Sequence, residues 1–270
     1  MIESLKGEFN LTDEGDLEAF LGIKTTKHQH DVLEFNQPHL IQRIIDTLGL
    51  DEDSKMHDTP ANITLNKDEE GQDRKQNWNY RSVIGMMSYL ANSARPDILF
   101  AVHQCARFSS NPKKSREEVV KRNGCYLKYT KEKGMIFKFN TTKGIEVFAD
   151  ADFTGTWSSN NSHEHTSALS RTGYIIKVAN YSILWVSNMQ TEVVLSMMEA
   201  EYIALSQSTR DLLLIKNMIL FLNNFMKISN KEINTFSTLF EDNASALQLA
   251  TELRYRPRTK HICIKYHHFR

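Results

Sequence analysis

The sequence predicts an α/β protein. Its C-terminal half carries one mixed sheet, three antiparallel strands plus a parallel strand with flanking helices, and a mainly helical half precedes it. Three observations predict this. Short segments between residues 145 and 187 alternate apolar and polar residues, the period of half-buried strands. Beyond Ser196 the apolar spacing changes to the threes and fours of a helix. The order after residue 144 is strand, strand, strand, helix, strand, helix, so a right-handed crossover can lay the fourth strand parallel to the first.

The elements follow in chain order. "LEAFLGIKTT" and "DVLEF" read as strands. "QPHLIQRIIDTLGL" reads as a short amphipathic helix, with Pro38 near its start and Gly49 at its C-terminal cap. Residues 51–79 are charged and poor in apolar groups, the composition of a linker or long loop. Val83, Met86, Met87 and Leu90 then recur at helical spacing. Pro96 interrupts, and "DILFAVHQCARFSS" forms a second helix with Asp97 near its start. Pro112 opens a third, whose Val119, Val120, Tyr126 and Leu127 can pack on the first two. Its basic run (Lys113, Lys114, Arg116, Lys121, Arg122), partly offset by Glu117 and Glu118, reads as a solvated face.

Ile145–Asp150 alternates like a strand. "GYIIKV" and "YSILWVS" are two more, joined by a hairpin turn at Ala179-Asn180, and the second of them can run on, bent, through "EVVLS". A long helix starts after Ser196, Thr235–Phe240 makes the fourth strand, and "ASALQLATEL" a closing helix.

Composition bounds the function. The chain has 270 residues, 40% hydrophobic and 24% charged, which suits a globular protein with a real core. Lys plus Arg and Asp plus Glu both number 33, so any attraction to nucleic acid must be local. Three scattered cysteines are too few for a disulfide framework or zinc site and suit a reducing compartment. No apolar run approaches a membrane span, and the N-terminus lacks a signal peptide's apolar stretch. The expectation is an intracellular protein, cytoplasmic or nuclear, without a membrane partner.

Three carboxylates are then expected to converge. The first and fourth strands point the same way and lead into Asp150 and Asp242, at the edge where open α/β sheets bind ligands. In the helix between, Ser196 and Glu199 have the spacing of a capping box, in which Glu199 reaches back to the Ser196 amide. Glu201 has no such task. It heads the row Glu201, Leu205, Ser208, Leu212, Ile215, Ile219, Leu222, Met226, which faces the core if the helix is continuous. Taken singly, Asp150 and Asp152 fit turn residues, Asp242-Asn243 fits a helix cap, and Glu201 a first-turn acid. Together they repel unless a cation intervenes. Oxygen ligands without histidine or cysteine favour Mg²⁺ or Mn²⁺, and two ions ~4 Å apart make a phosphodiester-cleaving site. His163-Glu164-His165 lacks further ligands at useful spacing and is not read as a metal site.

"FADADFTG", "GYIIKV", "ILWVS", "VVLSMMEAEYIAL", "LFEDNASALQLA" and "RTKHICIKYHHFR" closely resemble the ribonuclease H domain of copia-type LTR retrotransposon Pol polyproteins. "LEAFLGI", "YRSVIGMMSYLANSARPDILFAV" and "YLKYTKEKG" resemble the end of the same element's reverse transcriptase and the connection after it. The resemblance implies residues 1–60 as a reverse transcriptase remnant, 61–79 as a linker, 80–143 as a helical connection and 144–270 as a ribonuclease H-like domain. It implies two-metal hydrolysis of the RNA strand of an RNA:DNA hybrid. Asp150, Glu201 and Asp242 match the family's first-strand, helix and "DN" acids; Asp152, taken to lie past the strand end, is a weaker candidate. His261 matches an auxiliary residue. The remainder of the Pol polyprotein is the implied protein partner.

Three departures matter. Where the family reads "KHID", this chain has Lys260-His261-Ile262-Cys263, so Cys263 replaces the fourth acid, and a neutral thiol is a poor Mg²⁺ ligand. The polymerase's Tyr-x-Asp-Asp motif is absent, so no polymerase activity is expected. The chain stops at Arg270, inside what the resemblance makes the last helix, as a fragment would. The other reading is therefore a catalytically degenerate remnant that folds and at most binds nucleic acid. A related transposase or integrase fits less well, because those lack the "YRSVIG" region. For nucleic-acid contact, Arg254, Arg256, Arg258, Lys260 and Lys265 stand among Tyr255, Tyr266 and Phe269, a mixture suited to phosphate contact and base stacking.

Overall fold

A computed structural model describes residues 10, 17–68, 70–138, 140, 142–226, 233–251 and 266. Among them the protein is α/β, with two four-stranded sheets. The first sheet is antiparallel, in the order β1 (Ala19–Phe20), β2 (Ile23–Lys27), β3 (Val32–Asn36), β4 (Met135–Lys138). The N-terminal half is thus less helical than composition suggested. Strand β4 follows the last helix of that half, and its "MIFK" is too short for period two to announce it.

Helix α1 spans Pro38–Leu48 and ends where Gly49 takes φ 63°, the left-handed conformation a C-terminal cap needs. Helix α2 (Tyr80–Ser93) starts at Asn79, whose side chain accepts from the Ser82 amide at 3.0 Å. After a short turn at Pro96–Ile98 come α3 (Leu99–Ala106) and α4 (Lys114–Tyr129). Ile41, Ile44, Val83, Met87, Leu90, Val102, Val120 and Leu127 bury one core among these four helices.

One buried charge joins that core's ends. Arg95, 3% exposed, grips Asp97 through Nε at 2.9 Å and Nη2 at 2.7 Å. Its remaining donors reach the Thr130 carbonyl and hydroxyl, and Tyr126 donates its hydroxyl to Asp97 at 2.7 Å. Burial works to raise the Asp97 pKa, but Arg95 and Tyr126 outweigh it and hold the carboxyl below its usual value.

The described residues of 51–79 form no helix or regular strand, yet they pack over α4. Leu65 is buried in the helical core, Ser115 donates to Asp68, Lys114 N–H to Gln72 O, and Arg122 to Thr59. The basic face of α4 is therefore covered, not solvated, and Arg116 is only 5% exposed.

The second sheet runs β7-β6-β5-β8, with β5 (Ile145–Asp152), β6 (Arg171–Val178), β7 (Tyr181–Met189) and β8 (Ser237–Phe240). The β6–β7 turn is Ala179-Asn180, both at positive φ, 51° and 73°, as a two-residue hairpin turn demands. Strand β7 stops at Met189, so "EVVLS" is not its continuation. Helix α5 (Met197–Met226) crosses the sheet, and α6 (Ala244–Thr251) follows β8. Ile145, Val147 and Ala149 of β5 and Tyr174, Ile176 and Val178 of β6 meet Leu205, Leu212 and Ile219 of α5, the stripe expected to face inward. On the opposite face, Trp185 donates its indole N–H to the Ala91 carbonyl at 2.9 Å and ties this sheet to α2. No helix among the described residues is long and apolar enough to cross a membrane.

The Arg95 network yields a test. Arg95→Ala leaves Asp97 half-buried without its cation and strands Thr130. Urea denaturation should show a loss of about 3 kcal/mol, against less than ~0.5 kcal/mol for the exposed Lys133→Ala.

Candidate metal centre

Strand register builds the site. Strands β5 and β8 are parallel neighbours, with Phe148 opposite Phe240. Two residues further along each segment stand Asp150 and Asp242, so the pairing sets them abreast. Strand β8 itself ends at Phe240, two residues before Asp242. Strand β5 runs on to Asp152, which pairs with Arg171 on β6, so Asp152 lies inside the strand and not past its end. Below the acids, the Phe148 and Phe240 rings stack at 4.7 Å and 7°.

Capping separates structural from available groups. Asn243 accepts from the Ser245 and Ala246 amides at 3.0 Å, so it starts α6 and Asp242 does not. Ser196 caps α5 by accepting from the Glu199 amide at 3.2 Å, and the Glu199 carboxylate accepts from Leu195 N–H at 2.7 Å. Glu201, at the head of the buried stripe, is 4% exposed, and its Oε2 has no hydrogen-bond partner among the described residues. One oxygen from each of Asp150, Glu201 and Asp242 lies within 4.8 Å of the other two.

Such an arrangement resists ionisation. Burial, then the neighbouring Glu241, Asp150 and Asp242, push the Glu201 carboxyl up to about 8, although the Ala151 backbone N–H favours its charged form. Glu241 was not singled out from sequence. Burial, with Asp242 and Asp150 close by, raises it to about 7 against the pull of the Asn243 amide, and its Oε2 is also buried without a partner. The available signal was a second acid directly before Asp242 in "FEDN".

The donor set fits a hard divalent cation. Every candidate ligand atom is a carboxylate oxygen, and Glu201 Oε2 is buried with no hydrogen-bond partner among the described residues. Asp150, Glu201 and Asp242 could hold the ion, with Glu241 behind them. The "HEH" residues join no such cluster among the described residues. Arg254, Arg256, Arg258, Lys260, His261, Cys263 and Lys265 lie outside the described residues. Of that basic segment Tyr266 is described; its hydroxyl donates to Glu192 at 2.9 Å, and its ring packs beside Ala151 and Tyr202.

Comparison with known proteins is consistent with this picture. The whole chain aligns at 29% identity over 284 residues with the "Retrovirus-related Pol polyprotein from transposon TNT 1-94" of Nicotiana tabacum, covering 20% of that protein. It aligns at 27% over 277 residues with the corresponding polyprotein from transposon RE1 of Arabidopsis thaliana, covering 17% of it. Its homologues over the whole chain are thus retrovirus-related Pol polyproteins from plant transposons. It spans about a fifth of the length of the Pol polyproteins it matches. About half of the chain, 132 residues, also aligns at 33% with 87% of "Secreted RxLR effector protein 161" of Plasmopara viticola. No family model matches the chain, and no solved structure does.

The electrostatics of the acid cluster predict a pH effect. The folded-state pKa of Glu201 is raised, so its contribution is present at low pH and is lost as pH rises out of the ordinary carboxylate range through about 8. In EDTA, the melting temperature should fall from about pH 5 to about pH 8.5, and Glu201→Gln should flatten the fall. Millimolar Mg²⁺ should restore the loss at the alkaline end by binding the folded form alone.

Proposed function

We propose that residues 144–270 form a ribonuclease H-like domain that hydrolyses the RNA strand of RNA:DNA hybrids. Residues 1–60 would derive from reverse transcriptase, 61–79 act as a linker and 80–143 as the connection. The observation that carries this is the acid trio, set by a parallel strand pair and capped by a helix start. The fold supports it: a mixed sheet with its one parallel pair at β5–β8, and α5 packed across its buried face.

Two Mg²⁺ or Mn²⁺ ions, when bound, would supply charge for the attacked phosphate and lower the pKa of water. The chain's residues set the geometry. Asp150 and Asp242 offer carboxylates from adjacent segments, and Glu201 offers a third from the helix start. Burial and the neighbouring acids keep Glu201 and Glu241 short of full ionisation, and a bound cation would favour their charged forms. Arg254, Arg256, Arg258, Lys260 and Lys265 would contact hybrid phosphates, and His261 would assist product departure. The polyprotein relation supports an intracellular setting, cytoplasmic or nuclear, and the rest of the Pol chain as partner.

A second reading, a remnant that folds without cleaving, is favoured by Cys263 where an acid is expected. Purified protein incubated with labelled RNA:DNA hybrid and Mg²⁺ or Mn²⁺ separates the two. The nuclease reading expects cleavage that Asp150→Asn, Glu201→Gln or Asp242→Asn each lowers at least ~100-fold. Cleavage no greater than that of Asp150→Asn would leave the remnant. Cys263→Asp should raise the rate about tenfold, and an unchanged rate would count against the fourth-ligand argument.

A further inference from the structure

A second charged feature stands apart from the acids. A pocket of about 430 Å³ opens where α3 ends and α4 begins, and the loop between β5 and β6 forms its far wall. Arg107, Lys113 and Arg116 line it together with Asp68, Glu164 and Thr166. Arg107 and Arg116 share one aromatic ring, their guanidinium carbons 5.4 and 4.3 Å from the centre of Phe108.

Two like charges on one ring, one of them 5% exposed, form an unfavourable arrangement by themselves. Among the described residues neither guanidinium makes an ion pair. Two acids offset them in part: Asp68, which accepts from the Ser115 hydroxyl, acts on Arg116, and Glu164, which accepts from the Thr166 hydroxyl at 2.8 Å, acts on both arginines. Lys113 is paired with Asp73 at 2.7 Å. Neither acid pairs directly with a guanidinium, and an anion with several oxygens is what two planar forks can grip together.

The position says which anion. The loop that carries Glu164 and Thr166 to the pocket leaves β5 at Asp152, two residues from Asp150, and returns at Arg171. Arg171 faces Asp152 in register, lies over Phe100 of α3 at 5.3 Å and has a buried Nη2 without a partner. Cationic groups therefore continue from the acid end of β5 toward the pocket. We propose that Arg107 and Arg116 hold a backbone phosphate of a nucleic acid whose neighbouring stretch lies at the acid cluster. This rests on the nucleic-acid reading above but uses none of the residues assigned there.

The test measures binding of the full chain to a fluorescein-labelled RNA:DNA hybrid by anisotropy across NaCl concentrations, with Ca²⁺ in place of Mg²⁺ to prevent turnover. Arg107→Gln should weaken binding about 3–10-fold and lower the slope of log affinity against log salt by about one. Arg107→Lys should keep the slope, and Lys27→Gln, an exposed lysine of the first sheet, should change neither. Arg116→Lys, which spares the buried charge, should lose affinity with its slope intact. Unchanged affinity and slope in Arg107→Gln, with the wild-type circular dichroism spectrum, would overturn the proposal. So would thermal protection by inorganic phosphate that Arg107→Gln abolishes while hybrid binding stays intact. Cleavage reads the other site separately. A chain that needs Arg107 to bind yet cleaves nothing keeps this pocket and sinks the nuclease, and one that cleaves while ignoring Arg107 does the reverse.

Discussion

A carboxylate taken out of water beside other carboxylates governs the second half of this molecule. Glu201 is 4% exposed, heads a stripe whose Leu205, Leu212 and Ile219 face the core, and has an oxygen with no hydrogen-bond partner among the described residues. Packing alone would favour leucine there. The group is tolerable only neutral or with a cation, and Glu241 faces the same constraint. The surroundings are arranged to bear it. Asn243 and Ser196 take over the capping that Asp242 and Glu201 would otherwise share, so no acid of the trio is committed to holding a helix end.

The two halves of the chain are joined on the face of the second sheet that α5 leaves open. Trp185 reaches the Ala91 carbonyl, and Arg171 lies over Phe100. A groove of about 340 Å³ remains between them, walled by Leu99, Phe100, Ile175 and Trp185 and bordered by Asp150. Helix α3 therefore fixes the surroundings of Asp150 from the side opposite Glu201. The Arg95–Asp97–Tyr126–Thr130 network lies just before α3 and ties its start to the end of α4.

Much of the C-terminal half was legible because its signals are local and agree with one another. Alternation in "IEVFAD", the Ala179-Asn180 turn and the Ser196 cap each specify one element, and their order leaves one simple way to place the fourth strand. The acid trio followed from that order. Glu241 was missed because its importance comes from burial, which a strand-end acid does not advertise in sequence. The covered face of α4 was misjudged for a related reason. Residues 51–79 have a loop's composition and a loop's backbone, yet Leu65 anchors them in the core and their polar groups fasten to α4. Strand β4 was invisible because four residues carry too little period to read, and only pairing with β3 gives them a shape.

The parallel partnership of β5 and β8 has a consequence in time. A hairpin closes as soon as its second arm exists, so β5, β6 and β7 can assemble in the order they leave the ribosome. Strand β8 must wait for all thirty residues of α5 and then add itself to the far edge of β5. Until it does, Asp150 has no neighbour across that edge. A half-made polypeptide therefore owns a sheet and a long helix but not the assembled acid trio, whose three carboxylates come within reach of one another only when synthesis has passed Asp242.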